Sequence, residues 1–160
     1  MNYKMMGRFV AQILGIECVF MIPALVISIF CEERAAIKGF ALSILIIALL
    51  GGVLYVICRK GKKRFYARDG MVCVGISWIV LSLMGALPFY ISREIPAYID
   101  SFFEIVSGFT TTGASVLPEV EHLSKGILYW RSFSHWIGGM GVLVFLLAIS
   151  SMKGSKGGYT

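Results

Sequence analysis

The chain is 160 residues long, 58% of them hydrophobic, with a net charge of +6 and a mean hydropathy of +0.81. Soluble domains hold roughly 45–50% apolar residues, so this composition excludes an ordinary soluble fold and defines an integral membrane protein. The basic excess lies in short segments flanking apolar runs, which speaks for membrane lipid and against nucleic acid as the partner.

A helix needs about 20 apolar residues to cross a bilayer, and four stretches meet that length: residues 9–30, 39–58, 71–91 and 130–152. Lys4 and Arg8 precede the first as they would in a signal peptide, but the run is too long and no small-residue cleavage pattern follows. Spans one and two, joined by the polar link Cys31, Glu32, Glu33 and Arg34, form a helical hairpin within residues 1–64. Arg59, Lys60, Lys62, Lys63, Arg64 and Arg68 connect span two to span three, and Lys153 and Lys156 follow span four. By the positive-inside rule these segments and the N-terminus are cytoplasmic. Glu32, Glu33, Glu94, Asp100, Glu119 and Glu121 then fall on the opposite side or in the segment between spans three and four, as a cation-attracting vestibule or a solvated loop.

Cys18, Cys31, Cys58 and Cys73 share no CxxC spacing and read as packing residues. His122 and His135 lack a second ligand at i+4, so neither a metal centre of side chains nor a cofactor is expected. Ser134 and His135, adjacent on a helix, point about 100° apart, and no Gly-x-Ser-x-Gly elbow occurs; the chain is not read as an enzyme. Glu17, an acidic residue well inside a span, is a functional candidate by default, but in the peripheral hairpin it reads rather as a polar contact between helices. Gly126 reads as an outer-loop glycine that tolerates serine.

Residues 102–109 are apolar but too short to span, and read as a re-entrant half-helix. Ser101 as N-cap with Glu104 at the third helical position fits a capping box. The half-helix then points its negative backbone dipole end at the membrane centre, where a cation is stabilised. Its continuation, residues 110–115, is a Thr-rich segment around Gly113. Irregular backbone at membrane depth is tolerated only inside protein or along a water-filled path, and carbonyl rings of Thr-Gly loops replace the hydration shell of a permeating cation. Thr111, Thr112, Gly113 and Ala114 are therefore the expected filter, with potassium held by the backbone carbonyls of Thr111, Thr112 and Gly113. Thr110, Ser115, Glu104 and Arg131 are the expected support, Arg131 either snorkelling to the interface or pairing with an outer carboxylate such as Glu104. Gly138, Gly139 and Gly141 permit close helix packing or a hinge in span four. The architecture so derived is an all-α membrane protein of four transmembrane helices, a two-helix hairpin followed by one span–pore loop–span repeat over residues 65–160.

The run Asp100 to Ser115, followed by Trp130-Arg131-Ser132 and by His135-Trp136-Ile137-Gly138-Gly139-Met140-Gly141-Val142, closely resembles the first pore repeat of TrkH/KtrB-type potassium uptake proteins. The preceding hairpin resembles the N-terminal extension of the TrkH branch. The resemblance implies potassium uptake across the inner membrane of a prokaryote, through a filter built of four such repeats in one chain. It also implies a homodimer gated by a cytoplasmic nucleotide-binding subunit of TrkA/KtrA type. This chain carries one repeat, which suggests a fragment or truncated form of a longer transporter. A homotetrameric pore-loop cation channel and a small non-transporting accessory subunit are the alternatives. The orientation has a direct test: reporters fused after Lys63 or Lys156 should behave as cytoplasmic, and reporters near Glu33 or Glu121 as external. An external signal from the Lys63 fusion would remove the four-span topology.

Overall fold

Long runs of Ile, Leu, Val and Ala leave a backbone in hydrocarbon the α-helix as the way to satisfy its own amides and carbonyls. The computed structural model describes residues 3–59 and 67–154, with side chains described in those stretches except at 67–69, 142 and 145–154, and no strand occurs among the described residues. The described residues form six helices in order: α1 (Tyr3–Phe30), α2 (Arg34–Cys58), α3 (Ala67–Gly85), α4 (Leu87–Ile91), α5 (Tyr98–Phe109) and α6 (Lys125–Gly154). By length and composition Tyr3–Phe30, Arg34–Cys58 and Gly70–Ile91 can each cross a membrane. The expected fourth span falls on α6, 30 residues long, or about 45 Å at the rise of an α-helix. The side chains of its later turns, Lys156, and Lys60 to Arg68 of the basic link lie outside the described residues.

α1 and α2 form the hairpin, turning at Glu32 with φ 55°; the amides of Cys31 and Glu33 close it onto the carbonyls of Ile27 and Ser28. Pro88 at the start of α4 breaks the third span, because proline brings no N–H to the helix ladder. The carbonyl of Gly85 at that break accepts the indole N–H of Trp130 at 2.9 Å, which ties α3 to α6. Gly39 brings α2 onto the same break, since a Cβ there would lie 2.9 Å from the Pro88 carbonyl. Leu14 and Met21 of α1, Phe40 and Ile47 of α2, Ile105 and Phe109 of α5, and Trp130 of α6 fill the core. Cys58 and Cys73 are buried and Cys31 is exposed, all free, and Arg8 stacks over the Tyr55 ring at 5.6 Å.

Two expectations are overturned by this packing. Gly126 is no loop residue: it sits in the first turn of α6 against the Ser28 hydroxyl and the Ala24 carbonyl of α1, where a Cβ has no room. Glu17 makes no polar contact between helices, for both carboxyl oxygens lack a hydrogen-bond partner among the described residues. The residue is 2% exposed and lies against Gly85, where a Cβ would come within 3.1 Å of its Oε1. A buried polar group without a partner costs about 1–3 kcal/mol. Glu17→Leu should therefore raise the thermal midpoint of the detergent-solubilised protein, with Glu17→Gln nearly neutral; a lowered midpoint for Glu17→Leu would reveal a partner for the carboxyl.

Candidate ion filter

Pro96 and the extended Ala97 (φ −89°, ψ 128°) deliver the chain to α5, whose first residue is Tyr98. The capping box does not form. Ser101 lies inside the helix, its amide already bonded to the Ala97 carbonyl, so it has no orphan amide to cap. Its hydroxyl instead donates back to the Ile95 carbonyl at 3.2 Å. Glu104, released from that role, points toward the far end of the Thr-Gly segment. α5 is thus 12 residues long, one turn longer at its start than the apolar run 102–109.

The helix ends at Phe109, and the chain reverses over Thr110 and Thr111. Thr111 holds φ 55° and Gly113 φ 75°. A β-branched residue at positive φ is a genuine outlier, and strain of this kind is held at functional sites by the surrounding structure. Here the bracing is visible. The Ser107 carbonyl receives the amides of Thr112 at 3.0 Å and Gly113 at 3.5 Å, and the Gly108 carbonyl receives that of Thr111 at 2.9 Å. Thr110 Oγ1 donates to the Val106 carbonyl and lies 2.8 Å from Thr112 Oγ1. Thr111 Oγ1 donates to the Thr110 carbonyl. The carbonyls of Thr111, Thr112 and Gly113 receive no hydrogen bond from any described residue, while all three residues are exposed. Ala114 differs from them. Its carbonyl accepts the Ser107 hydroxyl at 2.6 Å, which anchors the end of the loop on α5 and leaves the second lone pair of that oxygen unengaged.

Past the loop the backbone is fastened by Glu104, which is 1% exposed. Its carboxylate accepts the Ser115 hydroxyl at 3.0 Å on both oxygens, the Val116 amide at 3.2 Å, and Nε–H of Arg131 at 2.5 Å. Of the two fates open to Arg131, the pairing is realised, and α6 is thereby joined to α5 and to the loop. The Arg131 carbonyl in turn accepts the Ser134 hydroxyl at 2.6 Å and Nδ1–H of His135 at 2.9 Å, so Ser134 and His135 share one acceptor and do not address each other.

The glycines of α6 serve close approach. A Cβ on Gly138 would fall on the carbonyl of Phe109, the last residue of α5, and one on Gly141 would strike the Trp78 ring, which itself meets Phe109 edge-on at 5.9 Å. A Cβ on Gly139 would stand at ordinary contact distance, 3.9 Å, from Thr111 Cγ2. Gly108 meets Ser134 from the other side. Sequence reasoning missed Ser107 and Gly108: nothing in spacing or composition signals which carbonyls of a half-helix will catch the returning chain.

A short helix, α5, that hands over to an extended Thr-Gly segment between longer apolar helices is the geometry of a pore loop. The chain belongs to the TrkH family of cation transport proteins, whose profile matches residues 36–160. It is 34% identical to an uncharacterized cation transporter of Methanocaldococcus jannaschii, over 91% of this chain and 30% of that one. With the Trk system potassium uptake protein TrkG of Escherichia coli it shares 35% identity over 86% of this chain and 28% of TrkG. Its fold matches the crystal structure of the potassium transporter TrkH from Vibrio parahaemolyticus with a TM-score of 0.85 at 32% identity, covering 93% of this chain and 32% of that one. The chain spans about a third of the length of these relatives. It is a multi-pass membrane protein.

Removing one partner of a buried ion pair leaves an uncompensated charge, at a cost of about 3–5 kcal/mol. Arg131→Leu should accordingly lower the thermal midpoint sharply, and Arg131→Leu combined with Glu104→Gln should lose less than the single change. Losses that simply add would mean that the two side chains are not coupled.

Proposed function

We propose that the chain supplies one quarter of a potassium-selective filter in a Trk-type uptake system, acting within a longer transporter. The observation that carries this reading is the set of unengaged carbonyls at Thr111, Thr112 and Gly113, at the C-terminal end of α5, with Gly113 at positive φ. Such carbonyls offer a dehydrated cation the oxygen atoms that its water shell gave up, and the dipole of α5 adds partial negative charge beneath them. The relatives named for potassium uptake extend the reading to this ion. One loop cannot encircle a cation, so three further loops complete the ring, as the resemblance to four-repeat transporters implies. The same resemblance carries the prokaryotic inner membrane, a cytoplasmic N-terminus, a homodimer, and a cytoplasmic nucleotide-binding regulator of TrkA/KtrA type.

The steps that this segment contributes are binding and selection. Thr110, Ser107 and Glu104 hold the loop so that its carbonyls keep their spacing when no ion is present. A smaller cation, unable to touch all of them at once, recovers less of its lost hydration. Any replacement of Gly113 sits at φ 75° with a Cβ that costs about 1–3 kcal/mol there, although the space around it is open. In the full-length transporter Gly113→Ser should insert normally but reduce potassium preference over sodium. Gly52→Ala, on an α2 face with nothing within reach of a Cβ, serves as the control. Complementation of a potassium-uptake-deficient strain, with rubidium and sodium fluxes measured in parallel, reads the outcome; unchanged selectivity in well-expressed Gly113→Ser would falsify the filter assignment.

A further inference from the structure

The hairpin α1–α2 places no residue in the Thr-Gly loop, yet its connecting turn reaches the start of α6. Glu33, in the three-residue link, accepts the Lys125 amide on one carboxylate oxygen at 2.7 Å and the Gly126 amide on the other at 3.3 Å. First-turn amides have no acceptor within their own helix, and a carboxylate matches the positive end of the helix dipole. The local candidate for this task, Ser124, is occupied elsewhere: its amide donates to Glu94 at 2.8 Å and its hydroxyl to the other oxygen of the same carboxylate. The acceptor for α6 thus comes from 92 residues upstream. Two further contacts keep it in register. Gly126 fits against Ser28 and Ala24 of α1, and Phe20 of α1 meets Phe133 of α6 edge-on at 5.4 Å.

Arg131 lies about one and a half turns beyond Gly126 on the same helix. It holds Glu104, and Glu104 holds Ser115 and Val116 just past the loop. The connection from hairpin to loop is therefore continuous through packed helix and hydrogen bonds. A shift or rotation of the first turn of α6 moves the Arg131 guanidinium and with it the carboxylate that fastens the loop.

We propose that Glu33 is a positioning residue for the filter: by capping α6 from the hairpin it sets the height and rotation at which Arg131 meets Glu104. The acidic residue at the hairpin turn is a mechanical part of ion selection, in place of a solvated or field-focusing group. This rests on the filter reading above, and the experiment separates the two.

Full-length transporters carrying Glu33→Ala, Glu33→Gln or Gly113→Ser are compared in the uptake-deficient strain, each also in a Ser115→Ala background. Membrane insertion is quantified and rubidium-to-sodium flux ratios are measured. Glu33→Ala should lower the ratio about fivefold, the fold-change one helix cap is worth, at normal insertion. Glu33→Gln, which keeps one acceptor oxygen, should fall between it and the parent. In the Ser115→Ala background Glu33→Ala should add less than it does alone, because of the two bonds by which Glu104 fastens the loop only that to the Val116 amide remains. An unchanged ratio in inserted Glu33→Ala, or a loss that multiplies fully with that of Ser115→Ala, overturns the proposal. So does failure of both Glu33 variants to insert, which would make the residue a folding determinant only. Loss of selectivity in Gly113→Ser alone leaves the filter standing without the clamp, whereas no loss in either removes the filter itself.

Discussion

Backbone that leaves a helix within a membrane has to find partners for its amides inside the protein, because hydrocarbon offers none. The rest of this structure is arranged around that requirement at residues 110–116. From below, the carbonyls of Val106, Ser107 and Gly108 at the end of α5 take up the returning chain. From above, one buried carboxylate, Glu104, gathers the Ser115 hydroxyl, the Val116 amide and the Arg131 guanidinium. What remains unengaged between the two anchors is a row of carbonyls, the feature on which the proposed filter rests.

The same requirement accounts for the small residues of α6. Gly138 lets the helix touch the terminal carbonyl of α5, and Gly141 admits the Trp78 ring that backs Phe109. This close crossing fixes α6 against the end of α5, from which the loop departs, so support from α6 does not depend on Arg131 alone. Close small-residue packing also suits a membrane, where helices associate through van der Waals fit because the surrounding lipid is as apolar as their side chains.

The hairpin extends the support outward. α1 packs along α6 through Phe20, Ala24 and Ser28, and Glu33 closes the contact at the first turn. Acidic residues that appear as a negative vestibule in the sequence are thus divided: Glu33 and Glu94 are spent on backbone amides, and Glu119 pairs with the exposed His122 at 2.8 Å. Glu17 stands apart, buried beside the broken third span without a described partner.

Much of this was legible in the residues alone. Uninterrupted apolar runs placed the helices of the hairpin and the third span, the shortness of residues 102–109 marked a half-helix, and Thr110 to Ser115 marked the loop, since run length and Gly or Thr content are local properties. The pairing of Arg131 with Glu104 was one of two readings left open. Partner choice was not legible. Ser101 matched a capping box yet lies inside α5, because Pro96 and Ala97 start the helix a turn earlier. Ser107 to Ala114, Gly138 to Phe109 and Glu33 to the amides of α6 join residues separated by 7 to 93 positions, and no periodicity records such pairs. The sequence by itself determined which segments are helical, which one cannot span, and where the backbone must be irregular. Only the tertiary structure decided which carbonyls stay free and which side chains hold them, because a donor's acceptor is set by the amides that packing leaves unsatisfied within reach.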